Sequence, residues 1–469
     1  MNNTELNDEL EVVARESLLL YISDLIASFA GFLYWFIAAK IVSSTILGTA
    51  SAIVSLSTIV VTASSLGLAM AILRIGSIYR NTLGSVSATA IVLGIGSLLL
   101  VSLISLPLLI HVLGSIYLFL FVVSLALFTL LISILRSTLI VIRAAKYLPY
   151  TQSIAAAARV SIGIGLLLIL PTVSGVVGGY LIGLLASSLS LLLIALRRGF
   201  LRLRPSRRYV AELLRAGYPV WLPSIVMVLG TQLGVVFTYS LRGGSEAGYL
   251  YIAQTIALAA DAARQAIARA LIPSIATENI DRQRLGTAIR LTYALLLPIN
   301  MALIFFPEPV LRLISSEYIA AANPLRIYAA TNIVLAAIGL VTIYVYATGS
   351  YRYTLLINTM MSITRVALYT ALTPLYGATG AAIAYLAGAL AASIPITARI
   401  RRENISIPLK EMAIATSVSL AIGVVLSRLV QSVALVVIAL VAMYVALLVL
   451  KIIRREEIAA LAKPILKIR

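Results

Sequence analysis

The chain has no cysteine and one histidine, His111, in 469 residues. The first absence excludes disulfides, thiolate metal sites and cysteine nucleophiles, and the second removes multi-histidine metal clusters and histidine-based catalytic dyads. Charge is scarce too, at 11% of residues, and unbalanced, with 36 Lys and Arg against 17 Asp and Glu. Long polar stretches are also missing. The longest expected external loop runs from about Glu308 to Pro324, which leaves no room for a soluble catalytic domain. The acids expected outside, Glu246, Glu308 and Glu317, are too widely spaced to act as a pair. A membrane glycosyltransferase or sugar polymerase would normally expose such a pair, so the chain reads as a non-enzyme, with no cofactor and no resident metal.

What is present is apolar: 61% of residues are hydrophobic and the mean hydropathy is +1.06. Runs of about 20 apolar residues, the length that crosses ~30 Å of hydrocarbon as a helix, recur about fourteen times between Ser17 and Leu450. Met1 to Glu16 is acidic and polar, unlike a secretory signal, so the first run reads as an ordinary spanning helix. The net charge of +19 does not imply nucleic acid. With the N-terminus inside, about 26 of the basic residues fall on the cytoplasmic side and about five outside (Lys40, Arg242, Arg312, Arg326 and Arg428), as the positive-inside rule requires. Both termini are therefore expected in the cytoplasm of a multi-pass plasma-membrane protein. The Asn-x-Ser/Thr triplets at Asn2 and Asn404 fall inside and read as chance matches.

The segment from Tyr180, YLIGLLASSLSLLLIALRR, recurs from Tyr385 as YLAGALAASIPITARIRR. At a shift of 205 positions Tyr180, Leu181, Gly183, Leu185, Ala186 and Ser188 fall on Tyr385, Leu386, Gly388, Leu390, Ala391 and Ser393. Just upstream, Tyr150-Thr151 and Pro171 match Tyr353-Thr354 and Pro374 at a shift of 203. The chain is thus a duplicated bundle, and an even number of spans per copy gives the copies one orientation, with a cleft expected between them. Residues 1–17 read as a cytoplasmic N-terminal segment, 18–198 as an N-lobe of spans 1–6, and 199–215 as a basic cytoplasmic linker. Residues 216–402 read as a C-lobe of spans 7–12, 403–451 as two added spans, and 452–469 as a basic cytoplasmic tail.

A charge at mid-bilayer costs roughly 2.5–3.5 kcal/mol on insertion scales, so each one retained is a functional candidate. Arg136 and Arg269 lie near cytoplasmic helix ends and can snorkel. Arg159 and Arg365 are deeper, on equivalent helices, one turn apart in the 203 register. Two guanidiniums facing one cleft would suit a diphosphate or other polyanion, because Arg offers planar bidentate donors; bonding to neighbouring carbonyls and acids is the alternative. Arg264 is a third candidate for the anionic group, though Asp261 three positions earlier shares its face and can neutralise it. Asp24 has no basic residue within a turn, so Asp24 and Asp261 are the candidates for coupling to sodium or protons, the membrane potential being the other energy source. Pro219 and Pro223 in span 7, and Pro298 beside Asn300 in span 9, are expected bends.

Three stretches resemble a known family. Gly248 to Glu278 is similar to a G-Y-x-x-A segment ending in P-x-(I/L)-A in the multidrug/oligosaccharidyl-lipid/polysaccharide exporter superfamily, with the polysaccharide flippase branch nearest. Ala39 to Arg74 resembles that branch's opening helices, and PLYGATGAA from Pro374 resembles its element between spans 11 and 12. The resemblance implies an all-α polytopic protein, two parallel six-helix lobes around a central cavity plus two C-terminal helices. It implies a transporter that flips polyprenyl (pyro)phosphate-linked oligosaccharides from the cytoplasmic to the outer leaflet by alternating access, for cell-surface polysaccharide or glycoprotein synthesis. The implied partners are the bilayer, the lipid-linked oligosaccharide and glycan-assembly enzymes. A cation-coupled exporter of drugs or metabolites is the second reading within the superfamily.

Overall fold

The computed structural model describes residues 3–199, 204–277, 282–347, 350–429 and 432–453, and among them there is helix and no strand. In lipid every backbone N–H and C=O must be paired within its own segment, which leaves helices and closed barrels as spanning structures. The α-helices are α1 Asn3–Ile41, α2 Ser44–Ser64, α3 Leu68–Ile75, α4 Leu83–Leu113, α5 Ile116–Val141, α6 Tyr147–Ala158, α7 Ile164–Ile169 and α8 Val173–Arg197. They continue as α9 Val210–Arg242, α10 Gly244–Thr277, α11 Arg282–Phe305, α12 Pro307–Arg312, α13 Ala322–Ala347, α14 Tyr351–Glu403, α15 Leu409–Ser427 and α16 Val433–Val449.

Helix starts are written in hydroxyls. Ser43, Ser115, Thr172 and Ser432 cap α2, α5, α8 and α16, their side-chain oxygens accepting from Ile46, Tyr117, Gly175 and Leu435 N–H groups. Eleven helical stretches among the described residues are long and apolar enough to cross a bilayer. One of them, α14, is two helices joined through Gly377, whose φ of 55° and ψ of −133° are non-helical. Its limbs run antiparallel: Tyr353 donates to the Pro395 carbonyl and Arg365 Nε to the Tyr385 carbonyl at 3.3 Å. Expected spans 11 and 12 are those limbs. The charged α10 and the shorter apolar α16 occupy the places of expected spans 8 and 14.

The chain divides into two compact units, Met1–Gly248 and Tyr249–Arg469. In the first unit α2 is central and packs on α4, α5, α8 and α9. It can be central because it is rich in small residues: Gly48, Ala50, Ser51, Ala52 and Ser55 are all buried. Helix α9, which the repeat groups with the second half, lies against α2 and α3 along its length. At one end a Cβ on Gly217 would fall 2.3 Å from the Leu66 carbonyl oxygen, and just beyond the other, where α10 begins, the Gly244 oxygen lies 1.8 Å from where a Cβ on Gly48 would fall. Near the first of these Trp221 donates its indole N–H to the Thr62 and Ala63 carbonyls at 3.0 and 3.1 Å, and beside the second the Thr45 and Ser245 hydroxyls are 2.7 Å apart. Outside the spans, Tyr79 donates to the Glu212 carboxylate, which holds its phenol above the usual pKa.

The second unit is built on α11, whose Ile289, Leu296, Leu297 and Met301 lie in the main core with Leu340 and Val341 of α13 and Ile396 of α14. The added helices α15 and α16 cover the remaining face of α11: Met412, Ala415, Met443 and Leu447 enter the same core. Tyr444 donates to the Leu295 carbonyl, and Tyr293 and Thr416 share a hydrogen bond of 2.8 Å. Pro298 lies inside α11, and the Asn300 amide beside it donates to the Leu296 carbonyl at 2.9 Å.

Candidate functional site: a clasped arginine in each half

The duplicated Tyr-Leu-x-Gly sequence has a physical meaning that the repeat alone does not reveal. Helices α6 to α8 form one hairpin and the limbs of α14 form another. In the first, the Arg159 guanidinium lies over the Tyr180 ring, 4.6 Å from its centroid; in the second, Arg365 lies over Tyr385 at 3.6 Å. The glycine three residues after each tyrosine makes room for the arginine. A Cβ on Gly183 would meet Arg159 Nε at 2.5 Å, and one on Gly388 would meet Arg365 Cγ at 2.4 Å. A cation over an aromatic face is worth about 2 kcal/mol or more when desolvated, so each clasp is a substantial contact.

The 203 register set the arginines one turn apart, yet they contact equivalent residues. A π-turn over Arg159–Gly163 interrupts the first hairpin, and the register moves from 203 at Pro171 to 205 at Tyr180, in the turn between the hairpin's helices. Each clasp is surrounded by further aromatics. Tyr34 and Trp35 lie 6.2 and 5.7 Å from Tyr180, and Tyr328 lies 4.9 Å from Tyr385, with Tyr369 fully buried nearby on the arginine's own limb. Arg159 is 8% exposed and its Nε has no hydrogen-bond partner; Arg365 is 1% exposed, with Nε on the Tyr385 carbonyl. Among the described residues neither arginine pairs with a carboxylate. A second arginine–tyrosine contact closes the base of each hairpin, Arg198 over Tyr147 at 5.5 Å and Arg399 over Tyr353 at 5.4 Å.

The other candidates lie elsewhere. Arg264 is bidentate to Asp261, Nε to Oδ1 at 2.7 Å and Nη2 to Oδ2 at 2.6 Å, and Asp261 is 2% exposed. Asp24 is paired with Arg136 of α5 at 2.6 Å, both about a quarter exposed. Arg136 therefore does not simply snorkel; it reaches an acid 112 positions away that no local pattern indicates. The side chain of Arg269 lies outside the described residues. A buried amide network was not foreseen: Asn332 donates to the Ala257 carbonyl at 2.8 Å and to Asn300 Oδ1 at 3.1 Å. The proline beside Asn300 was the only sequence signal for it.

Solved structures of a lipid II flippase and of multidrug resistance MATE transporters share this fold. A structure of the lipid II flippase MurJ in an inward closed conformation superposes with a TM-score of 0.76 at 16% identity, covering 92% of this chain and 97% of that one. An inward-facing multidrug resistance MATE transporter gives 0.59 at 17% identity over 80% of this chain and 95% of its own. A variant of the Vibrio cholerae MATE transporter VcmN gives 0.57 at 15% identity over 86% and 99%. No family model matches, and no curated protein matches. At these identities the likeness is one of fold. The expected all-α, polytopic architecture is the one observed.

Proposed function

We propose that the chain is a flippase that carries a polyprenyl (pyro)phosphate-linked oligosaccharide from the cytoplasmic to the outer leaflet by alternating access. The observation that carries this reading is the retention, within a lipid II flippase fold, of two buried guanidiniums that have no carboxylate partner among the described residues. Arginine stays charged at any accessible pH, and its planar fork matches phosphate oxygens. In the clasped state one face of each guanidinium is covered by tyrosine, so Arg159 and Arg365 would exchange ring for phosphate as the hairpins loosen. Arg264 would act conditionally. While Asp261 holds it bidentately the pair is neutral; a proton or sodium ion taken by Asp261 releases Arg264 for an anion, which links ion entry to cargo binding. Asp24 and its partner Arg136 are the second candidate for such coupling. In this reading the protein sits in the plasma membrane with both termini in the cytoplasm, where glycan-assembly enzymes would supply the cargo.

The likeness to MATE transporters keeps a cation-coupled drug or metabolite exporter as the second reading. The test is leaflet-resolved transport in liposomes of a fluorescent polyprenyl diphosphate sugar by the purified protein. Transport should fall about tenfold or more in Arg159→Lys, where a point charge replaces the bidentate fork. Transport of small cationic drugs alone, or an unchanged rate in folded Arg159→Ala with Arg365→Ala, would overturn the reading.

A further inference from the structure

The repeat leaves α15 and α16 without a counterpart, and the flippase reading gives them no task. Where they dock on α11 they line an open cavity of about 580 Å³ with the first turns of α11. Its polar lining is Thr287, Arg290, Ser406, Glu411 and Lys451. The positive-inside rule places this end of the helices on the cytoplasmic side.

The cavity is built by two backbone devices. Gly286 lets the segment before α15 lie directly on α11, because a Cβ there would fall 2.5 Å from the Ser406 carbonyl oxygen. After α16 the chain reverses through Lys451, at a φ of +55° that non-glycine residues rarely adopt. The reversal brings the Ile452 and Ile453 N–H groups to the Leu447 carbonyl and plugs both isoleucines into the core. It also presents the Ile452 carbonyl to Arg290 Nη1 at 2.7 Å, which anchors that guanidinium at the cavity wall.

Two opposite charges face this one cavity without closing on each other. Lys451 and Glu411 both line it, and among the described residues neither is in an ion pair. Two hydroxyls, Ser406 and Thr287, stand with them. On the hydrocarbon side the lining becomes apolar and exposed, at Ile414 and Leu450. Cation and hydroxyl donors beside a carboxylate, above an apolar lip, complement a molecule with a phosphate, an ammonium and a hydrocarbon chain.

We infer that the cavity holds a resident zwitterionic phospholipid of the cytoplasmic leaflet, of the phosphoethanolamine type. Its phosphate sits on Lys451 and the Arg290 wall with the two hydroxyls, its ammonium on Glu411, and its acyl chain runs over Ile414 and Leu450. The lipid then joins α15 and α16 to α11, which gives the added pair a lipid-dependent attachment. This inference rests on the membrane-spanning fold and not on the identity of the cargo.

The test is native mass spectrometry of the full chain in nanodiscs of phosphatidylethanolamine, of phosphatidylglycerol, or of a mixture, with glycerophosphoethanolamine and a polyprenyl diphosphate as further probes. Phosphatidylethanolamine should be retained in preference to phosphatidylglycerol. Lys451→Gln should lower retention of both lipids about tenfold, the scale of one charge-assisted bond, while Glu411→Gln should erase the preference and spare phosphatidylglycerol. Size-exclusion behaviour establishes that both variants are folded, and Lys410→Gln, on the same helix but outside the lining, should change nothing. Retention unaffected by Lys451→Gln and Glu411→Gln would overturn the inference. So would equal binding of water-soluble glycerophosphoethanolamine, which would mean that the chain contributes nothing, or displacement by the polyprenyl diphosphate, which would assign the cavity to cargo.

Discussion

Gly183→Ala tests the clasp directly. The three heavy atoms nearest the added Cβ all belong to Arg159: Nε at 2.5 Å, Cβ at 2.9 Å and Cζ at 3.2 Å. The guanidinium cannot stay over Tyr180 and accommodate that methyl group. Overpacking of this kind costs about 1–3 kcal/mol, and loss of the cation–ring contact adds about 2, so the single substitution should destabilise the chain by about 3–5 kcal/mol. In an Arg159→Ala background the Nε and Cζ contacts are gone, while the Cβ at 2.9 Å remains and still forces a shift between the helices. Gly183→Ala should then cost about 1–3 kcal/mol, a coupling of about 2 kcal/mol between the positions, the share of the cation–ring contact. Unfolding in mixed detergent micelles, followed by helical circular dichroism for the four members of the cycle, measures that coupling. Additive costs would refute the reasoning, since they would mean that Gly183 is needed for something other than the arginine. Gly388→Ala should show a smaller rescue by Arg365→Ala, because the Met361 carbonyl oxygen, 2.7 Å from the added Cβ, remains after Arg365 is gone.

The remaining predictions use the absence of cysteine as a clean background. Thr45→Cys with Ser245→Cys, at positions whose hydroxyls are 2.7 Å apart, should cross-link on mild oxidation, and adding Gly48→Ala should lower the yield at least about tenfold because its Cβ would lie 1.8 Å from the Gly244 oxygen. An unchanged yield would mean that α2 and the start of α10 do not close there. Asp24→Asn should destabilise by about 1–3 kcal/mol by leaving Arg136 without its counter-charge, and Arg136→Gln in the same chain should recover most of that loss in the same unfolding assay. Failure of the second substitution to restore stability would show that Asp24 acts through a different partner.

Much of the architecture was legible because lipid allows few solutions. Apolar runs of spanning length must be helices, so composition and spacing lead to a polytopic helical protein without reference to contacts. The hairpin at Gly377 was legible as two spans because Pro374 and Gly377 interrupt the apolar pattern. The pairing of Asp24 with Arg136 was illegible for the opposite reason. Ion pairs between helices follow from packing, and 112 positions of sequence carry no trace of it. The Asp261–Arg264 pair could be read, since three residues apart is one helical face.

The sequence by itself determined that this chain is a duplicated bundle of membrane helices, because hydrophobic length and internal similarity are properties of the linear order. It also marked Arg159 and Arg365 as exceptional, because a charge in an apolar run is costly wherever the helix packs. Only the tertiary structure decided what holds them. The ring of Tyr180 and the bare backbone of Gly183, or of Tyr385 and Gly388, meet the arginine across a helix hairpin. That meeting depends on the turn geometry between the helices and, in the first hairpin, on the π-turn that begins at Arg159. No local rule specifies either, because both are set by how closely two backbones approach.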